Sequence, residues 1–76
     1  MNIENLVTMA NQIGAFYESM PDRAKSLNDI AEHIKKFWEP RMRRELLAYV
    51  DVHQASSELT PIVLESILSN RALLTP

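Results

Sequence analysis

The stretch HIKKFWEPRMRREL, residues 33–46, decides how the chain folds. Pro40 has no N–H for a continuing helix and disfavours helical geometry at Glu39, so a helix arriving through His33 must stop near Trp38. Proline is well placed in the first turn of a helix, so a new one begins at Pro40. The stretch is therefore a tight corner between two helices. It gathers a Phe37–Trp38 pair and the cations Lys35, Lys36, Arg41, Arg43 and Arg44 at one bend. A solvated basic face and a docking surface for something anionic both account for such a bend.

Working outward, the helix before the corner opens with Pro21 in its first turn and Asp22 near its positive end. Its apolar stripe is Ala24, Leu27, Ile30, Ala31, Ile34 and Trp38, with Phe37 on the edge. A preceding helix spans Ile3 to Met20, capped by Asn2, with Ile3, Leu6, Val7, Ala10, Ile13, Gly14 and Tyr17 on one face and Met9, Phe16 and Met20 widening it. Gly14, the only glycine, costs about 1 kcal/mol there relative to alanine and predicts close approach of another helix backbone. After the corner a third helix runs to about Val52 with Met42, Leu46, Tyr49 and Val50 inward and Leu47 at its edge. The polar run HQASSE makes a loop, and Thr60 caps a fourth helix that has Pro61 at its first position and runs to about Asn70. Val63, Leu64, Ile67 and Leu68 are its expected inward residues. No repeat and no alternating strand pattern interrupts this reading. The expected fold is all-α, one domain over residues 1–76, built as a small bundle or array of three to four short helices.

Composition narrows the function. A chain of 76 residues hides only about 60% of the surface its unfolded form exposes, so its core is thin and association is a natural aid to stability. It contains no cysteine, which excludes disulfides, thiol nucleophiles and thiolate-held iron–sulfur clusters from its own chemistry. No apolar run approaches the roughly 20 residues of a membrane span, and the opening MNIENLV lacks the marks of a signal peptide, so a cytoplasmic location is expected. A net charge of −2 and a pI near 5.6 argue against general nucleic-acid binding. There is no glycine-rich phosphate loop and no histidine pair at metal-binding spacing, so the chain is not expected to be an enzyme or to hold a metal.

The corner carries the candidate site. Arg41, Arg43 and Arg44 stand in the first turns of the third helix, where free N–H groups already create positive potential. Cations there are mildly unfavourable for the helix, yet guanidinium groups beside amide donors suit a carboxylate, a phosphate or a partner's acidic patch. Arg43 falls between Leu46, Leu47 and Val50 on the apolar side of its helix. Either its stem snorkels over the bundle edge, or it pairs with Glu39 or Asp51, or it reaches a partner. Trp38 suits a core, whereas Phe37 fits a core edge and an interface equally. His33 lies beside Phe37 at the boundary of that face.

MANQIGAF (Met9 to Phe16), followed by HIKKFWEPRMR (His33 to Arg43) and LTPIVLESI (Leu59 to Ile67), closely resembles the delta subunit of NAD-dependent, molybdenum-containing formate dehydrogenases. The second motif is the specific one, because no generic helix corner demands a Phe-Trp pair, a proline and Arg-Met-Arg in that order. The resemblance implies a small non-catalytic subunit that assists assembly, maturation or stability of a molybdenum-bearing catalytic subunit. The implied complex also has flavin and iron–sulfur subunits. Bis-molybdopterin guanine dinucleotide, iron–sulfur clusters, FMN and NAD would all be held by the partners and none by this chain. Partner contacts are then expected from His33, Phe37, Trp38, Arg41, Arg43 and Arg44, with Asn11 and Gln12 added from the first helix. Pro40 and Met42 are expected to build the corner. Two other readings stand beside it: a helix-turn-helix placing Arg41 and Arg44 on DNA, and a free-standing homo-oligomeric helical adaptor.

Overall fold

Asn2 starts the first helix as its cap, its side-chain oxygen accepting the Glu4 N–H at 2.7 Å. The computed structural model describes residues 2–76, apart from the side chain of Ala55. It shows α1 (Ile3–Glu18), α2 (Arg23–Phe37), α3 (Pro40–His53), a 3₁₀ turn over Gln54–Ser56, α4 (Pro61–Ser69) and α5 (Arg71–Leu74). The fold is all-helical, with no strand among the described residues. Its helix count exceeds the expected three to four by the single turn of α5, which buries Leu74.

α2 is the central element, packed on α1, α4 and α5. Its core residues Ile30, Ala31 and Ile34 meet Leu6, Val7 and Ala10 of α1, Leu46, Leu47 and Val50 of α3, and Ile62, Val63 and Ile67 of α4 in one buried cluster. Two buried serines join the helices through backbone acceptors: Ser26 donates to the Tyr17 carbonyl at 2.9 Å, and Ser66 donates to that of Leu27 at 2.6 Å. None of the helices is long and apolar enough to cross a membrane.

Several sequence expectations change for local reasons. Pro21 lies outside α2, because Asp22 is the cap and its carboxylate accepts the Lys25 N–H at 3.1 Å. Ala24 is exposed and Ser26 takes the inward place, held by its bond to Tyr17. Phe16 and Met20 are exposed rather than extensions of the α1 face. In α4, Ile62 is buried and Leu68 is exposed. Thr60 occupies the cap position before Pro61, but its hydroxyl caps nothing and is buried without a partner.

Gly14 explains how α4 sits. A Cβ at residue 14 would collide with Val63 Cγ2 and lie 3.4 Å from Ile62 Cγ2 and 3.5 Å from Thr60 Oγ1. The close approach is real, but it is made by α4 side chains rather than by a helix backbone. Glycine therefore allows α4 to dock on α1. Gly14→Ala should lower the unfolding free energy in urea by about 1–3 kcal/mol, the usual cost of overpacking, despite alanine's better helix propensity. A second strained point is Gln54 after α3, at φ 46° and ψ −124°. That conformation belongs to the first central position of a type II′ turn, where glycine dominates. Gln54→Gly should raise the urea midpoint, with a gain of about 1 kcal/mol if the strain is relieved.

Candidate partner-binding site

The corner is built by an exchange of hydrogen-bond partners. α2 ends with the Trp38 N–H donating to the Ile34 carbonyl at 2.9 Å. Beyond it the backbone turns extended at Trp38 and Glu39, and Pro40 opens α3. The carbonyls of the last turn lose their usual donors there, and proline has no N–H to give the Lys36 carbonyl. Arg43 reaches back from α3, and its Nη1 donates to the Lys35 carbonyl at 3.0 Å. The residue is only 7% exposed, and its Nε is buried without a partner. Neither of the acids considered in the sequence reading, Glu39 or Asp51, is its partner. Arg43 is thus an internal strut between α2 and α3, which corrects the expectation that its guanidinium meets a partner.

This strut leaves the aromatic pair facing opposite ways. Trp38 is buried at 5% exposure within the core, whereas Phe37 stands 65% exposed. His33 lies against Phe37 with ring centroids 4.7 Å apart, and Lys36 Nζ is 5.8 Å from the Phe37 ring centre. Gln12 and Met9 of α1, His33, Phe37 and Trp38 of the corner and Met42 of α3 line one groove of about 410 Å³, open to solvent. Five of the sequence-predicted residues therefore converge: Gln12, His33, Phe37, Trp38 and Met42. Met9 and Ile13 complete the wall and were not singled out as site residues; their spacing of four, with Gln12 between, is the signal that places them on one helix edge.

The other candidates lie elsewhere. Asn11 ties α1 to the segment before α4, its Nδ2 donating to the Glu58 carbonyl at 3.0 Å and its Oδ1 accepting the Thr60 N–H at 2.9 Å. The side chain expected at the partner surface is engaged within the chain. Arg41 and Arg44 are exposed and do not line the groove. Pro40 sits at the first position of α3, as expected of a corner residue.

Charge is distributed unevenly. Four cations have carboxylate partners: Arg23 with Glu65 at 3.1 Å, Lys25 with Asp29 at 2.8 Å, Arg41 with Glu45 at 3.7 Å and Arg71 with Asp51 at 2.7 Å. The hydrogen bond to Asp29, reinforced by its charge, raises the Lys25 ammonium above its ordinary 10.5. Among the described residues, the cations with no ion pair are Lys35, Lys36, Arg43 and Arg44, all at the corner. No three His, Asp or Glu side chains converge as metal ligands among the described residues.

Fold and site define a small all-α chain whose sequence motifs meet at an open, cation-flanked groove. The family model of the NADH-dependent formate dehydrogenase delta subunit FdsD matches residues 5–67. The chain belongs to this delta-subunit family, and the matched span contains the whole groove and corner. No curated protein and no solved structure matches it.

The strut is open to a direct check. Arg43→Ala removes a charged donor from the Lys35 carbonyl along with a buried stem, and should cost about 2 kcal/mol in urea unfolding. Arg44→Ala, on the exposed face, should stay within about 0.5 kcal/mol of the parent. Equal effects at the two positions would dismiss the strut.

Proposed function

We propose that this chain is a non-catalytic accessory subunit of a cytoplasmic NAD-dependent molybdenum formate dehydrogenase. It docks through the α2–α3 corner on the molybdenum-bearing subunit and aids that subunit's assembly, maturation or stability. The family name implies association with other formate dehydrogenase subunits. The observation that carries the docking surface is the meeting of Gln12, His33, Phe37, Trp38 and Met42, residues of two separated family-like motifs, along one open groove. Packing alone accounts for Trp38 and Met42 but not for an exposed phenylalanine between a histidine and an unpaired lysine.

Division of labour follows from chemistry. With no cysteine the chain lacks thiolate ligands for iron–sulfur clusters, and it has no dinucleotide-binding glycine fingerprint. Bis-molybdopterin guanine dinucleotide, iron–sulfur clusters, FMN and NAD belong on the larger partners, which carry formate oxidation. This chain contributes binding energy: a subunit present at about 100 times its Kd stabilises its partner by about 2.7 kcal/mol.

The test compares the dehydrogenase purified from cells with and without this chain. The tagged chain should retain the molybdenum-bearing subunit through purification, and enzyme made without it should have lower molybdenum content or faster thermal inactivation of formate oxidation. Enzyme of undiminished metal content, activity and heat resistance, with no co-purification, would remove the proposal.

A further inference from the structure

The corner also specifies the chemistry of what it holds. We infer that the docked element is an acidic segment of the partner protein that places one apolar side chain in the groove beside Phe37 and a carboxylate near Lys36. This rests on the subunit reading above and adds the partner's chemistry to it.

Charge complementarity is the first argument. Among the described residues, every Lys and Arg outside the corner has its own carboxylate, as does Arg41 within it, while Lys35, Lys36, Arg43 and Arg44 have none. Arg43 is internal, so three exposed cations without an ion pair remain within ten residues, outnumbering the two unpaired acids beside them, Glu32 and Glu39, in a chain whose net charge is −2. Such a local excess draws an acidic surface to this end of the molecule. The second argument is the groove itself. Trp38 lines it buried and Phe37 exposed, Met9, Ile13 and Met42 add apolar surface for one apolar side chain, and Gln12 and His33 add polar groups beside it that suit a flanking polar or acidic group. Open to solvent, it does not enclose a small molecule, as ligand cavities generally do.

A polyanion such as duplex DNA fits less well. Glu32 shares the cleft beside Phe37 with His33 and Lys36, and Glu39 stands exposed at the bend. A continuous phosphate surface would meet both carboxylates, whereas a discrete acidic segment can avoid them. The cations also divide in role. Lys36 adjoins Phe37, whereas Lys35 lies two residues from Phe37 and Arg44 two from Met42, each about 200° round its helix from a groove residue. Lys36 is therefore a contact, and Lys35 with Arg44 steers approach from outside the groove.

The division predicts distinct kinetics for full-length chain binding the molybdenum-bearing subunit on a biosensor. Phe37→Ala should raise the dissociation rate about tenfold or more with little change in association. Lys35→Glu with Arg44→Glu should lower the association rate about tenfold at ~0.05 M salt, a difference that fades toward 1 M salt as the Debye length contracts to about 3 Å. Circular dichroism melts of both variants should match the parent, since the substituted residues are exposed. Unchanged kinetics in both variants, with loss of binding instead in Val52→Ser or Leu68→Ser, exposed apolar positions outside the groove, would overturn the corner as the contact while leaving the subunit reading in place. Absence of binding by the parent chain would overturn that reading itself. Competition by duplex DNA at comparable affinity would overturn the choice of an acidic protein segment.

Discussion

The carbonyl of Lys35 is the point on which the arrangement depends. Proline at position 40 ends the α2 ladder and opens α3 in the same stroke, and the cost is a set of carbonyls without backbone donors. An acceptor left bare costs up to about 1–3 kcal/mol where it is shielded from water, and this one is partly so. Arg43 removes that penalty by reaching back across the bend to donate at 3.0 Å. The bond ties the first turns of α3 to the last turn of α2, and at this bend Trp38 enters the core while Phe37 faces solvent. The bond is not without expense, since Nε of the same guanidinium is buried without a partner. A corner held by a charged, multi-donor side chain tolerates that imperfection because the planar fork needs only one well-made bond to fix its position.

α1 connects this corner to the rest of the molecule by presenting different chemistry along its length. Asn11 fastens the segment leading to α4 through both ends of its amide, and Gly14 makes room for Val63. Met9, Gln12 and Ile13, interleaved with those two, form the wall of the groove. One helix therefore seats α4 with one edge and completes the groove with the other. Disturbing the first task shifts the second, because the residues responsible are neighbours on a single rigid rod.

Much of this was legible in the sequence, and the misses have physical causes. Proline chemistry and the 3.6-residue period are local, so the corner at Pro40, the cap at Asn2, the start of α4 at Pro61, the buried place of Trp38 and the inward position of Arg43 could all be read. What Arg43 bonds could not be read from charge pairing, because its acceptor is a backbone carbonyl and every residue has one. The tie made by Asn11 was hidden for a similar reason: its partners lie 47 and 49 residues away, and nothing local marks them. In α4 the stretch PIVLESIL is apolar on most sides, so periodicity alone does not choose between Ile62 and Leu68. Gly14 chooses, by admitting Ile62 and Val63 and so rotating Leu68 outward.

Charge placement connects this fold to the proposed docking. Cations in the first turns of a helix oppose its dipole, each by about 0.3–1 kcal/mol when exposed. A chain so small has little stability to spare. Carboxylates were available, since Glu32 and Glu39 lie in the same stretch of sequence, yet they neutralise none of the corner's free cations. A fold selected only for its own stability would place those acids against Lys36 and Arg44, as it does for Lys25 and Arg71. Leaving the charges open lowers the stability of the isolated chain and raises the electrostatic gain when an acidic surface arrives. On the docking proposal, the open charges that lower the stability of the isolated chain are the same ones an acidic partner would satisfy, so the two effects would have a single origin.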